Sequence, residues 1–141
     1  MKKIILLFII SFSVQTSLSQ TKADDILGQY WTDTKEGKIE IYKKGNKYFG
    51  KIIWRKDARK DTKNPNKNLR NRSVVGIDFM TDFVFSRNKW TDGEVYSIEN
   101  GGTYSGKMWL EDKGKTLKMR GYVGISLFGK TATLTRVKEN L

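Results

Sequence analysis

Hydrophobic and polar residues alternate along most of the chain. Over residues 38–43, Ile39 and Ile41 fall on one side. Over 47–54, Tyr48, Gly50, Ile52 and Trp54 share one face, and Phe49, Lys51 and Ile53 share the other. A two-residue period is the pattern of a strand with one buried face. Lys44-Gly45-Asn46 between the two runs is a tight-turn signal, so they predict a hairpin. Further strand-like runs follow at 73–80, 82–87, 94–97, 103–111, 116–123 and 129–137. Trp90-Thr91-Asp92-Gly93, Glu99-Asn100-Gly101-Gly102 and Asp112-Lys113-Gly114-Lys115 read as the turns between them. No long helical period occurs; residues 24–29 and 124–128 predict single helical turns. Short strands at this spacing predict an all-β fold, either a sandwich or an antiparallel barrel.

The N-terminus breaks the pattern. Met1-Lys2-Lys3 is a short positive region, residues 4–10 are unbroken apolar, and Ser17 and Ser19 stand where a signal peptidase reads small residues. That order is the layout of a secretory signal. The apolar run is too short for a permanent bilayer span, which needs about 20 residues. The expectation is a signal peptide over 1–19 and one exported domain over 20–141, periplasmic or extracellular. No later segment is apolar enough to hold the mature chain in a membrane.

Composition narrows the chemistry. The chain has no Cys and no His. Disulfides, thiolate nucleophiles, His-containing triads and Cys- or His-ligated metals are thereby excluded, and neither cofactor nor metal is expected. The formal charge is +12, and loss of Lys2 and Lys3 with the signal leaves +10. Residues 55–72 carry Arg55, Lys56, Arg59, Lys60, Lys63, Lys67, Arg70 and Arg72 against Asp57 and Asp61, eight minus two or +6. More than half of the mature surplus therefore sits in one segment. It also holds the sole proline, Pro65, and its lack of periodicity predicts a long loop.

Gly28-Gln29-Tyr30-Trp31 opens the first strand and Thr135-Arg136-Val137 ends the last. In an up-and-down barrel these strands are neighbours. Arg136 lying over the Trp31 ring would close the barrel floor, a cation–π contact of about 0.5–2 kcal/mol. The arrangement is similar to that in lipocalins. Read in order, the chain also shows Gly28-x-x-Trp31, Ile39-Glu40-Ile41 and Gly50-Lys51-Ile52-Ile53-Trp54. Asp61, Asn64-Pro65, Arg70-x-Arg72 and Val75-Gly76 follow. Then come Trp90-x-x-Gly93, Tyr96, Asn100-Gly101-x-x-Tyr104-Ser105, Leu117-x-x-Arg120-Gly121-Tyr122-x-Gly124 and Thr135-Arg136-Val137. This order resembles the DUF2147 family, small exported bacterial proteins with a lipocalin-like barrel and no established activity, over residues 28–137. The resemblance implies an antiparallel up-and-down barrel of about eight strands, and an exported compartment. It implies no chemistry. Two positions depart from the family pattern: Ser97-Ile98 where a Pro is usual, and Leu134 where a Trp is usual. They bear on loop shape and core filling.

Three groups of residues are candidates for function. Asp61, Asn64, Arg70 and Arg72 could read an anion, because arginine grips a carboxylate or phosphate through paired hydrogen bonds. Asp61 would orient one arginine and Asn64 would complete the pocket. The same residues would serve equally as a loop clasp, with Asp61 pairing Arg70 or Arg72. Trp54, Trp90, Tyr96, Tyr104 and Tyr122 could line a barrel mouth or fill a small core. Of these, Tyr96 and Tyr104 flank a turn, which places their hydroxyls at a polar rim. The carboxylates Asp92 with Glu94 and Asp78 with Asp82 form the third group. Glycoside hydrolysis needs two carboxyls about 5 or 6.5–9.5 Å apart, and acids beside turns are also ordinary surface residues.

The leading expectation is a binding module without catalysis. A hollow barrel would hold a small apolar or amphiphilic ligand in a cavity lined by Trp54, Trp90 and Tyr122, with Arg70 and Arg72 near the mouth. The alternative is a cell-envelope protein that binds an anionic polymer or lipid headgroups through the basic loop. A carboxylate-dependent glycoside hydrolase is a distant third. A basic loop beside aromatics also has the footprint of nucleic-acid binding. An exported protein rarely meets nucleic acid, and no recognised motif for it occurs, so no such partner is expected.

Overall fold

The alternation closes into a ring. A computed structural model of the protein describes residues 20–124 and 129–138. Eight antiparallel strands pair in sequence order and the last returns to the first. They are β1 (Gly28–Thr32), β2 (Gly37–Lys44), β3 (Lys47–Arg55), β4 (Asp78–Ser86), β5 (Lys89–Tyr96), β6 (Thr103–Glu111), β7 (Thr116–Tyr122) and β8 (Gly129–Arg136). The all-β class, the up-and-down order and the strand number agree with the sequence. The helical turn expected over 24–29 is a 3₁₀ turn at Ala23–Ile26. The signal segment 1–19, and residues 125–128 of the second expected turn, lie outside the described residues.

The strands differ from expectation at three places, two of them at aspartates. Residues 73–77 are loop, and the runs beginning at Ser73 and Asp82 merge into the single strand β4. Asp82 sits inside it at φ 62°, a left-handed conformation that Asp tolerates and that marks a bulge. Met80 and Phe83 are consequently both fully buried although they are three residues apart. Trp90-Thr91-Asp92-Gly93 is likewise strand, with Asp92 at φ 60°. The turn lies earlier, at Arg87-Asn88, where both residues have positive φ as a two-residue type I′ hairpin requires.

A core of Ile26, Tyr30, Ile39, Ile41, Tyr48, Met80, Phe83, Trp90, Val95, Met108, Leu117 and Leu134 fills the ring. Phe83 fits because Gly93 and Gly106 stand opposite each other on β5 and β6. A Cβ on Gly93 would come within 2.3 Å of the Phe83 ring, and one on Gly106 within 2.6 Å.

Strand direction divides the connections between two ends. The β2–β3, β4–β5 and β6–β7 turns share one end with the entry and exit of the chain, and the 3₁₀ turn closes that end. Tyr30 donates its hydroxyl to the Ile26 carbonyl at 2.8 Å, and the Trp90 indole donates to the Ala23 carbonyl at 3.1 Å. Arg136 donates to the carbonyls of Leu27 (2.8 Å), Asp25 (2.6 Å) and Gly114 (2.8 Å). These bonds satisfy carbonyls that a short helical turn leaves without partners. Burial pushes the Tyr30 phenol up to about 12, although Arg136 works in the opposite direction.

The expected stacking of Arg136 on Trp31 is corrected. Arg136 lies over Tyr30, because alternation along β1 sends Tyr30 inward and its neighbour Trp31 outward. Trp31 instead meets Lys38, whose Nζ is 4.5 Å from the ring centroid, and Trp54, edge-on at 5.7 Å. Trp54 reaches the outer face through another bulge. Ile39 pairs with Ile52 but Lys38 pairs with Trp54, so Ile53 is the extra residue and the alternation reverses beyond it.

Candidate functional site

The other end of the barrel carries the long β3–β4 loop. Its polar sequence folds because its backbone finds partners: Asp61 N–H donates to Arg72 O, Val74 N–H to Arg59 O and Gly76 N–H to Ile52 O. Val74 is buried with Ile52 and Ile77, and Phe79, Tyr96 and Ile98 pack against them.

Asp61, fully buried, organises this loop. It accepts hydrogen bonds from the Tyr96 hydroxyl (2.6 Å), the Asn64 side-chain amide (2.8 Å) and Arg72 Nε (3.0 Å). A second Arg72 nitrogen lies 2.9 Å from the same carboxylate. Arg70 Nε donates to the Asn64 carbonyl at 2.8 Å. Burial works to raise the Asp61 carboxyl, but the bonds from Tyr96, Asn64 and Arg72 outweigh it and hold the group below its ordinary value. All four loop residues singled out in the sequence therefore meet, and Tyr96 joins them. Their arrangement is a clasp. Arg72 and Asn64 spend their donors on Asp61, and among the described residues no buried side-chain polar atom lacks a partner. An anion seeking the Arg72 nitrogens held by Asp61 would have to displace that carboxylate.

Beside this clasp a cleft of about 490 Å³ opens at the same end. Tyr104, Met119, Gly121 and Ala132 line it from β6, β7 and β8, with Glu99, Asn100, Tyr122 and Lys130 at its margin. Met119 pairs with Ala132, and Met119 and Gly121 share the strand face of buried Leu117. Ala132 shares the face of buried Leu134 yet is itself exposed. Small residues on the core-facing side thus leave the upper barrel unfilled here. A Cβ at Gly121 would meet only the Tyr104 Cβ, at 3.8 Å. Asn100 donates to the Tyr104 hydroxyl at 2.7 Å, so that hydroxyl is at the rim. The turn holding Asn100 touches the basic loop, with Gly101 close against the Lys63 carbonyl and Pro65.

The aromatic set is dispersed. Trp90 is fully buried at the closed end, and Trp54 is on the outer face. The cavity expected between Trp54, Trp90 and Tyr122 is not formed, because Tyr48, Met80, Phe83 and Met108 fill the middle of the barrel. Tyr104 and Tyr122 alone of the five lie at the cleft. The sequence reading missed Met119, Gly121 and Ala132. Their alternation with Leu117 and Leu134 was visible, but not that the ring is under-filled at their level.

The carboxylates do not gather either. Asp61 is committed to the clasp, and Asp78, Asp82, Asp92 and Glu94 are exposed. Asp78 accepts from Tyr42 at 2.8 Å and Asp82 from Lys47 at 3.0 Å. Among the described residues, no two of these carboxyls are buried facing one cleft as the hydrolase reading requires.

Comparison with solved structures finds a protein from the human pathogen Helicobacter pylori described as belonging to the lipocalin family. It is 27% identical, with a TM-score of 0.72, over 81% of this chain and 84% of that one. A search of curated proteins found no match. The model of a family described as uncharacterized proteins conserved in bacteria matches residues 28–136, which span all eight strands. The ring of strands, the clasped loop and this match agree, and the chain belongs to the DUF2147 family, with a lipocalin-like barrel.

Proposed function

We propose that the protein is a binding module that holds one small apolar or amphiphilic molecule in the open half of its barrel. The observation that carries this reading is the exposure of Ala132 on the core-facing side of β8, beside Gly121, Met119 and Tyr104. The cleft volume of about 490 Å³ falls within the roughly 300–1,000 Å³ of small-molecule sites. Met119 and Ala132 offer an apolar wall, while Glu99, Asn100 and Lys130 offer a polar rim. That division suits a ligand with an apolar body and a polar head. The lipocalin-family neighbour supports the reading by its shape.

Native mass spectrometry of the protein purified from its own source tests it, together with titration by a fluorescent fatty-acid analogue. A co-purifying amphiphile and saturable uptake at one site are the expected results. Ala132→Trp fills the cleft from a position already exposed, so it should abolish uptake and leave the urea midpoint unchanged. Equal uptake by the variant would overturn the proposal.

A further inference from the structure

We infer that the open end of the barrel is a docking surface for an anionic lipid bilayer. The large hydrophobic residues exposed among the described residues are Trp54 (42%), Leu69 (36%), Val75 (42%) and Val123 (69%). Trp54 is near the end of β3, Leu69 and Val75 are in the β3–β4 loop, and Val123 follows β7. Antiparallel order places all of these positions at the same end, the one opposite the 3₁₀ plug. Isolated exposed apolar residues are normal on a soluble surface, but their concentration in one region marks an interaction site.

Charge is distributed in the same sense. Of the eight cations in residues 55–72, three are matched by carboxylates: Arg55 with Asp57, Arg59 with Asp57 and Glu99, and Arg72 with Asp61. Lys56, Lys60, Lys63 and Lys67 are exposed, and their ammonium groups make no ion pair or hydrogen bond among the described residues. Arg70 is exposed and bonds only the Asn64 carbonyl. The remaining acids at this end are Asp33 and Glu36 in the β1–β2 turn and Asp78 at the start of β4, and Asp78 is engaged by Tyr42 at 2.8 Å and Lys51 at 4.0 Å. The opposite end carries cations too, including Lys44, Lys89 and Lys113, but none of the exposed large hydrophobics.

Clustered cations draw a protein to anionic headgroups, and apolar side chains beside them enter the headgroup layer. Neither signal alone gives stable attachment. Here both lie on a loop already ordered by Asp61, so attachment need not order it first. Insertion would hold the barrel end-on, with the cleft facing the bilayer. Val123 borders both the docking surface and the cleft, but Lys60, Lys63, Lys67, Leu69 and Val75 line no part of the cleft, so changes at these positions test docking separately from ligand uptake.

Co-sedimentation of the full chain with vesicles tests the proposal. Binding is expected to mixed phosphatidylcholine–phosphatidylglycerol vesicles and not to phosphatidylcholine alone. The Lys60→Gln, Lys63→Gln, Lys67→Gln triple variant should bind at least about tenfold more weakly. The Leu69→Ser, Val75→Ser double variant should lose the fraction that survives high salt. All five positions are exposed, and circular dichroism should be unchanged. Equal binding to neutral vesicles overturns the proposal. So does an unaltered double variant, and so does capture by soluble polyphosphate that matches vesicle binding and ignores the Leu69 and Val75 changes, since either assigns the loop to a polymer. Loss of ligand uptake in Ala132→Trp with vesicle binding intact would separate the two functions.

Discussion

The guanidinium of Arg136 lies over the ring of Tyr30, its Cζ 4.7 Å from the ring centroid. From there it reaches three backbone carbonyls on two separate segments, the N-terminal turn with its exit and the β6–β7 turn. Replacing Arg136 by Gln removes the cation–π contact and leaves those carbonyls short of donors. The expected cost is about 2–4 kcal/mol, read from urea unfolding. Arg136→Lys should recover only a minor part, because one ammonium cannot reproduce the planar fork.

Asp61→Asn should loosen the β3–β4 loop. Arg72 would keep its charge without a carboxylate partner, and Tyr96 and Asn64 would lose their acceptor. Removing one partner of a buried pair costs about 3–5 kcal/mol. Because Arg72 is partly exposed, about 2–4 kcal/mol is the expected loss. Limited proteolysis should then cut within residues 55–77, where the native loop resists.

The same carboxylate gives a pH dependence. Its folded pKa is below the unfolded value of 3.8. Its contribution is therefore complete above the unfolded value and is lost as pH falls through the lower, folded one. Unfolding free energies measured from pH 6 down into the acid range should fall steeply in the native chain below about pH 4. They should fall less steeply in Asp61→Asn. Parallel slopes for the two proteins would show that Asp61 is not the group responsible.

Gly93→Ala tests the packing of Phe83. The added methyl would enter the Phe83 ring, which is itself fully buried. Overpacking of this kind costs about 1–3 kcal/mol. Phe83→Leu in the same chain should restore part of that loss, so the two changes should be non-additive in a double-mutant cycle.

The tryptophans separate core from surface. Trp90→Ala should cost about 3–5 kcal/mol, because a fully buried ring and its bond to Ala23 are both lost. Trp54→Ala should cost about 1 kcal/mol or less, since the ring is exposed and only rests edge-on against Trp31. Urea midpoints of the two variants measure the difference.

Strand periodicity carried the all-β class directly, because one buried face imposes a two-residue repeat on every strand, while the choice of a closed ring of about eight strands over a sandwich came from the family resemblance. It failed where a single residue was inserted. Asp82, Asp92 and Ile53 each shift the phase, and a period count has no term for a bulge. Trp54 shows the consequence: it shares the inward phase of Tyr48, Gly50 and Ile52, yet one extra residue puts it on the outside. The loop cluster was readable as a set, because Asp61, Asn64, Arg70 and Arg72 are the polar groups that a long basic loop needs to bury or bind something. Whether they face a ligand or one another depends on how many donors converge on Asp61, and Tyr96, distant in sequence, decides that. The cleft was the least legible part, since it consists of the small side chains of Gly121 and Ala132.

The seam between β1 and β8 is registered by three residue pairs, Tyr30 with Arg136, Trp31 with Thr135 and Thr32 with Leu134, whereas β7 and β8 share seven. If the ring parts at this seam, it exposes two edges of matching register at once. Each can then take its complement from a second copy, which is the route to domain-swapped dimers and to aggregation. Arg136 ties β8 to the N-terminal turn across that seam, so the residue that closes the floor also holds the two edges together.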